Sequence, residues 1–178
     1  MNADTSQHAQ PLIVIVMGVS GCGKSTIAEL VAKKINAFCK DGDELHPQSN
    51  IDKMASGIPL TDADRQPWLE AVASYAGEKA VEHGTCVIAC SALKQAYRET
   101  LSSAGRVVYV FLEGSYELIA SRMDQRTGHF MPGKLLDSQF EALEDPRLES
   151  NVITVNIKPE PETIAANAVQ LLEQHQYL

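Results

Sequence analysis

Eight consecutive residues, Gly18-Val19-Ser20-Gly21-Cys22-Gly23-Lys24-Ser25, satisfy the pattern G-x-x-x-x-G-K-[ST] at every fixed position. Glycines at those places let the backbone wrap an anion, so that several N–H groups converge on phosphate oxygens. In that pattern the Lys24 ammonium reaches the β and γ phosphates and the Ser25 hydroxyl ligates Mg²⁺. Phosphoryl transfer needs positioning and charge neutralisation more than covalent help. A second set of residues must therefore hold a metal and orient an acceptor. Cys90-Ser91-Ala92, after a later apolar run, supplies no acid for the metal, which leaves Asp41-Gly42-Asp43. Side chains two apart on an extended strand share a face, so both carboxylates are expected to point at one cleft. Asp41 is assigned to the Mg²⁺ shell and Asp43 to the acceptor hydroxyl. A solvated Asp-Gly turn is the competing reading of the same residues.

Cations must surround the moving phosphoryl group. Arg122 and Arg126 stand four apart on one helix face and run into Thr127-Gly-His-Phe-Met-Pro-Gly133, a glycine-flanked break that reads as a closing loop. His129 sits on that loop. Lys53, Arg65, Lys94 and Arg98 fall in other segments that follow strands, and any of them could clamp an anionic substrate. Spacing alone does not rank them.

The elements that must position these groups alternate. Pro11–Met17 is a continuous apolar, β-branched run suited to a buried parallel strand, and Ile27, Leu30, Val31 and Ile35 continue it as a helix. Strand, glycine loop and helix thus follow in the order that places anions at a helix N-terminus. Further strands are expected at 37–41, 85–90, 106–112 and 151–156. Helices are expected near 50–55, from Pro67 onward, at 93–102, at 115–126, through Leu135–Leu143 and at 161–175. Pro67 is expected in the first turn of its helix. Five strands separated by helices imply an α/β fold: a parallel sheet with helices on both faces and ligands at the carboxyl ends of the strands.

The 178 residues suffice for one well-packed domain, taken as 11–178 behind a flexible polar tail at 1–10. A net charge of −8 argues against a nucleic-acid surface, and no apolar run is long enough to cross a membrane. The tail lacks a signal-peptide core, and four cysteines fit as reduced thiols, so a cytoplasmic setting is expected. Cys86 and Cys90 share a strand face but lack the partners of a metal site, so buried small residues are the preferred reading.

Beyond these patterns, Asp41-Gly-Asp-Glu-Leu-His-Pro47, Asn50-Ile-Asp-Lys-Met54, Gly57-Ile-Pro-Leu60 and Asp62-Ala-Asp-Arg-Gln-Pro-Trp-Leu69 resemble the signature of the P-loop gluconokinases. Cys90-Ser-Ala-Leu-Lys94, Tyr97-Arg98, Gly128-His-Phe-Met131 and Ser138-Gln-Phe140 continue the likeness in order, from Leu12 to the final helix. The resemblance implies a P-loop kinase fold like that of shikimate and nucleoside monophosphate kinases. It also implies transfer of the ATP γ-phosphate to the 6-hydroxyl of D-gluconate, and a homodimer. By the same likeness Gly18 to Ser25 hold ATP, Asp43 contacts the acceptor, and Arg126 of a lid at about 126–134 reaches the phosphates. The segment 44–69 becomes the substrate side, with His46, Lys53, Arg65, Lys94, Arg98 and His129 as its polar contacts. Asn156–Pro161 falls where related kinases place the adenine-side loop. Cys22 stands in place of a more usual serine, and Ser102 in place of an arginine. The alternatives are a kinase of the same fold for another small acid or a nucleoside monophosphate, or a GTP-dependent switch. The N-K-x-D base-reading motif expected of such a switch is missing from the chain.

Overall fold

The computed structural model describes residues 10–127 and 132–178, with the side chains of 125–127 and 132–134 excepted. The tail 1–9, His129 and the side chain of Arg126 lie outside the described residues, as does the centre of the segment read as a lid.

Five strands, β1 (Leu12–Met17), β2 (Phe38–Asp41), β3 (Thr85–Ala89), β4 (Arg106–Glu113) and β5 (Val152–Asn156), form one all-parallel sheet in the order β2-β3-β1-β4-β5. Seven helices are described: α1 (Lys24–Ile35), α2 (Gln48–Ala55), α3 (Asp62–His83), α4 (Gln95–Ser102), α5 (Tyr116–Thr127), α6 (Pro132–Ala142) and α7 (Pro161–Gln174). Every residue of β1 is buried, which explains its unbroken apolar run. Its pleat divides the run between two layers. Leu12, Val14 and Val16 pack with Ile27 and Val31 of α1 and Ile164, Ala168 and Leu172 of α7. Ile13, Ile15 and Met17 pack with Trp68, Leu69 and Val72 of α3 and Leu101 of α4. Each such side chain contributes about 1.5–3 kcal/mol by leaving water.

The helix after β1 and the helix after β3 therefore cover opposite faces of two adjacent strands. That divergence opens a crevice at the carboxyl ends of β1 and β3, the place where open α/β sheets bind ligands.

Two local expectations are corrected. Pro67 does not open α3; Thr61 does, in a capping box with Asp64, and Pro67 lies in the second turn. Asp64 fills the position that glutamate or glutamine takes more often, which hid the cap from a reading tuned to proline. Lys94 is the N-cap residue of α4, so that helix begins at Gln95, two residues later than expected. The earlier start of α3 matters for the site, because it places Arg65 on the helix's first turns at the rim of the crevice.

Candidate active site

The crevice is a cleft of about 410 Å³ lined by the glycine loop, the ends of β2 and β3, and the start of α3. Gly23 caps α1 with φ 94°, a left-handed conformation that L side chains adopt rarely, and a Cβ there would meet nothing within 4 Å. Backbone conformation, not space, calls for glycine at that position. Lys24 folds back so that its Nζ donates to the Val19 carbonyl at 3.1 Å. Ser20 donates through its backbone N–H and its hydroxyl to Oε1 of Gln139, both at 3.1 Å, which ties α6 to the glycine loop.

Ser25 and Asp41 meet directly, the hydroxyl donating to Oδ2 at 2.7 Å. The other Asp41 oxygen accepts from the backbone N–H of Asp43 at 2.9 Å and so caps a short 3₁₀ turn, Gly42–Leu45. Both aspartates line the cleft. The expected reason is corrected: Asp43 is not on the strand but on this turn, which Asp41 itself nucleates. Gly42 makes the turn possible, since a Cβ there would lie 2.8 Å from the Ala89 carbonyl of β3. A serine hydroxyl beside a carboxylate is a hard oxygen pair of the kind Mg²⁺ takes alongside water and phosphate. No group of three or more His, Cys, Asp or Glu suited to a metal occurs among the described residues.

Asp43 faces the cleft with 83% of its side chain exposed. Its carboxyl is pushed above the ordinary range by the surrounding protein and then by the charge of Asp41, with Lys24 and His46 opposing. His46 Nε2 lies 4.0 Å from Asp43 Oδ1, and its ring stacks on Trp68 with centroids 4.2 Å apart. Trp68 is anchored by donating its indole N–H to the Gly42 carbonyl at 2.8 Å. Burial holds the His46 imidazole below its usual pKa; Asp43 raises it and Arg65 lowers it further.

The structure ranks the four basic candidates that spacing left equal. Arg65 lines the cleft. Its guanidinium donates to the Leu60 carbonyl at 2.9 Å and to the Tyr97 hydroxyl at 3.4 Å. Lys94 instead pairs with Asp62 at 3.0 Å, and Tyr97 donates to the same carboxylate, so both support Arg65 from behind. Lys53 is spent on Asp64 at 2.7 Å, bracing α2 against the cap of α3. That pair and the cap hold the Asp64 carboxyl down at about 2.

Arg98 is the clear correction. It is 2% exposed, forks onto Glu149 with contacts from 2.7 to 3.1 Å, and donates to the carbonyls of Ala92, Leu93 and Glu144. With its donors committed inside the protein it clamps no substrate; it locks α4 to the chain before β5.

Arg122 does not line the cleft either. Its guanidinium donates to the Lys158 carbonyl at 3.2 Å, beside the loop after β5 that the resemblance placed on the adenine side. Ser102, read as a departure, shares a 2.8 Å hydrogen bond with the buried Tyr109 hydroxyl. Burial raises the Cys22 thiol, and it pushes Cys39 to about 11 and Cys86 and Cys90 to about 12; none is poised as a nucleophile. Spacing missed Trp68 and Gln139, which line the cleft, and Asn50, whose amide lies 3.2 Å from Nδ1 of His46. Asn50 is the one with a readable signal: a polar residue at the start of a short helix, four after a histidine.

Comparison with known proteins identifies the family. The family model for shikimate kinase matches residues 20–173. The thermosensitive gluconokinase of Escherichia coli K12 is 50% identical over 147 residues, covering 80% of this chain and 78% of its own. The thermoresistant gluconokinase of the same strain is 40% identical over 91% of this chain and 94% of its own. A crystal structure of a gluconokinase from Sinorhizobium meliloti 1021 superposes with a TM-score of 0.81 at 43% identity, covering 94% of this chain and 96% of that one. Shikimate kinase from Acinetobacter baumannii, at 16% identity and a TM-score of 0.61, shares the fold. Identity at this level over most of the chain, together with the shared fold, shows that the chain belongs to the gluconokinase family within the P-loop kinases.

Proposed function

We propose that the protein transfers the γ-phosphate of ATP to the 6-hydroxyl of D-gluconate, releasing ADP and 6-phospho-D-gluconate. The observation that carries this reading is the pairing of two features in one cleft. Asp43 stands near the glycine loop, and Arg65 is the cleft's cation on the substrate side. A sugar acid with its reacting hydroxyl at one end and its carboxylate at the other needs such a pair.

In this reading the loop from Gly18 to Ser25 cradles the triphosphate. Lys24 leaves the Val19 carbonyl to neutralise the β and γ oxygens. Ser25 and Asp41 hold Mg²⁺, which supplies further charge neutralisation when bound. Asp43 accepts the proton of the 6-hydroxyl as the hydroxyl oxygen bonds to the γ-phosphorus and the bond to the β–γ bridging oxygen breaks. Arg65, backed by Tyr97 and Leu60, holds the carboxylate, and binding energy gained there positions the far hydroxyl. Arg126 and His129, carried by a lid at about 126–134, complete the phosphate and substrate contacts. Arg122 lies on the nucleotide side.

A homodimer working in the cytoplasm goes with this reading, supported by family precedent and by four free cysteines. Among the described residues, no helix is long and apolar enough to cross a membrane.

A coupled assay with MgATP over a panel of sugar acids, glucose, shikimate and nucleoside monophosphates tests the proposal. Strong turnover is expected on D-gluconate, very weak turnover on glucose and none on shikimate. Glucose matching gluconate would sink the carboxylate clamp. Turnover confined to shikimate or a nucleoside monophosphate would sink the substrate.

A further inference from the structure

We infer that Asn50 fixes His46 in the tautomer with its proton on Nε2, so that the imidazole presents a donor to the acceptor hydroxyl beside Asp43. This deepens the proposed reaction and rests on it.

The argument begins with a buried amide. Asn50, on the first turn of α2, is 2% exposed. Its Nδ2 lies 3.0 Å from the Asp64 main-chain carbonyl and 3.2 Å from Nδ1 of His46. A carbonyl oxygen can only accept, so the amide atom facing it must be the NH₂; a flipped amide would set two acceptors against each other in a dry place. One hydrogen of that NH₂ goes to Asp64. The other points to His46 Nδ1, which must meet it with a lone pair. A neutral imidazole whose Nδ1 accepts carries its proton on Nε2.

The ring cannot easily escape this assignment. Its side chain is 6% exposed, it stacks on Trp68, and Trp68 is tied to the Gly42 carbonyl. The depressed pKa of the ring agrees with a neutral form.

Nε2 lies 4.0 Å from Asp43 Oδ1, too far for a direct hydrogen bond. The gap suits a single oxygen, which can sit at ordinary hydrogen-bond length, about 2.8 Å, from both atoms. A hydroxyl there has one proton to give. With Nε2–H opposite, the hydroxyl accepts from His46 and its proton goes to Asp43, the base. With the other tautomer Nε2 would be a second acceptor competing for that proton. Asn50 is therefore a positioning residue: it acts through His46 and touches no substrate.

Two-bond ¹H–¹⁵N correlation spectra of the uniformly labelled free enzyme read the tautomer directly. His46 is assigned by loss of its signals in His46→Gln. A protonated Nε2 and bare Nδ1 are expected; a protonated Nδ1 overturns the inference. Asn50→Ala should lose the tautomer preference and lower kcat on gluconate about tenfold, the effect of one hydrogen bond, with the KM for ATP unchanged. An unchanged kcat in folded Asn50→Ala would also overturn it. If Asn50→Ala does not fold, the wild-type spectrum and a second pair decide. His46→Gln, which can still donate from its Nε2, should retain more activity than His46→Leu; equal loss counts against the donor role. The free-enzyme spectrum needs no substrate, so a failed tautomer leaves the gluconate reading intact. Conversely, an enzyme inactive on gluconate leaves the tautomer readable.

Discussion

Asp43 carries the sharpest consequence for a single residue. To take a proton it must be ionised, and the surrounding protein, then the charge of Asp41, hold its pKa above the ordinary 3.8. Activity should therefore be complete at neutral pH and lost as pH falls through a value above that figure. A kcat/KM profile whose acid limb lay at or below 3.8 would remove Asp43 as the base. Asp43→Asn should lower kcat at least about 10²-fold with little change in ATP binding. Its effect on stability has the opposite sign. A carboxyl with a higher pKa folded than unfolded binds more protons in the native state, so stability falls as pH rises through that window and stays reduced at pH 7. The Asp43→Asn variant should thus have a Tm at pH 7 that is unchanged or raised, which a thermal melt would check. Arg65 makes the complementary case. Arg65→Ala should raise the KM for gluconate, lower kcat and narrow the preference over glucose. Lys53→Ala and Lys94→Ala, whose charges are paired with Asp64 and Asp62, should move that preference less. A larger shift from either lysine would reassign the clamp.

At the level of elements, short polar segments between the strands do most of the positioning. The Asp41-capped turn sets Asp43, and the Thr61 capping box sets the start of α3 and with it Arg65. Arg98 joins α4 to Glu149 and to two stretches of main chain. Removing it would leave the Glu149 carboxylate and the Ala92 and Glu144 carbonyls short of donors, while the Leu93 carbonyl keeps the Glu144 N–H. Arg98→Ala should therefore cost about 3–5 kcal/mol of folding stability, as when one partner of a buried ion pair is lost. The remaining folded enzyme should keep its KM for gluconate. Denaturant melts with parallel kinetics would show it, and a raised KM with unchanged stability would return Arg98 to the substrate site.

For the whole molecule, nucleotide binding should register as global stability, because β2 and α6 are both hydrogen-bonded to the glycine loop proposed to hold the phosphates. A non-hydrolysable ATP analogue at a hundred times its Kd adds about 2.7 kcal/mol, or roughly 5–10 °C in Tm for a chain of this size. Chelating Mg²⁺ should remove a large part of that rise. Asp41→Asn should blunt the Mg²⁺-dependent part and leave the remainder. A rise equal with and without Mg²⁺ would dissociate Ser25 and Asp41 from the metal.

Local rules sufficed wherever chemistry is written in consecutive residues. The glycine loop, the buried run of β1 and the alternation into a parallel sheet were legible because backbone geometry and pleat period act over a few positions. Asp41 and Asp43 were legible as neighbours in the chain, but the turn that Asp41 caps, and not the pleat, brings both to the cleft. The start of α3 was also locally encoded, in Thr61 and Asp64, and was masked by a more familiar proline signal. What only the tertiary structure decided was the fate of side chains that are chemically alike. Lys53, Arg65, Lys94 and Arg98 are four long cations after strands, and nothing in their spacing separates them. Glu149, far along the chain from Arg98, buries that arginine; Asp64 and Asp62 take the two lysines; Leu60 and Tyr97 leave Arg65 facing the cleft. The same holds for Asn50, whose amide has meaning only once the Asp64 carbonyl and the His46 ring converge on it. A charge or an amide acquires its role from the partner that satisfies it, and here those partners come together only when the chain has folded.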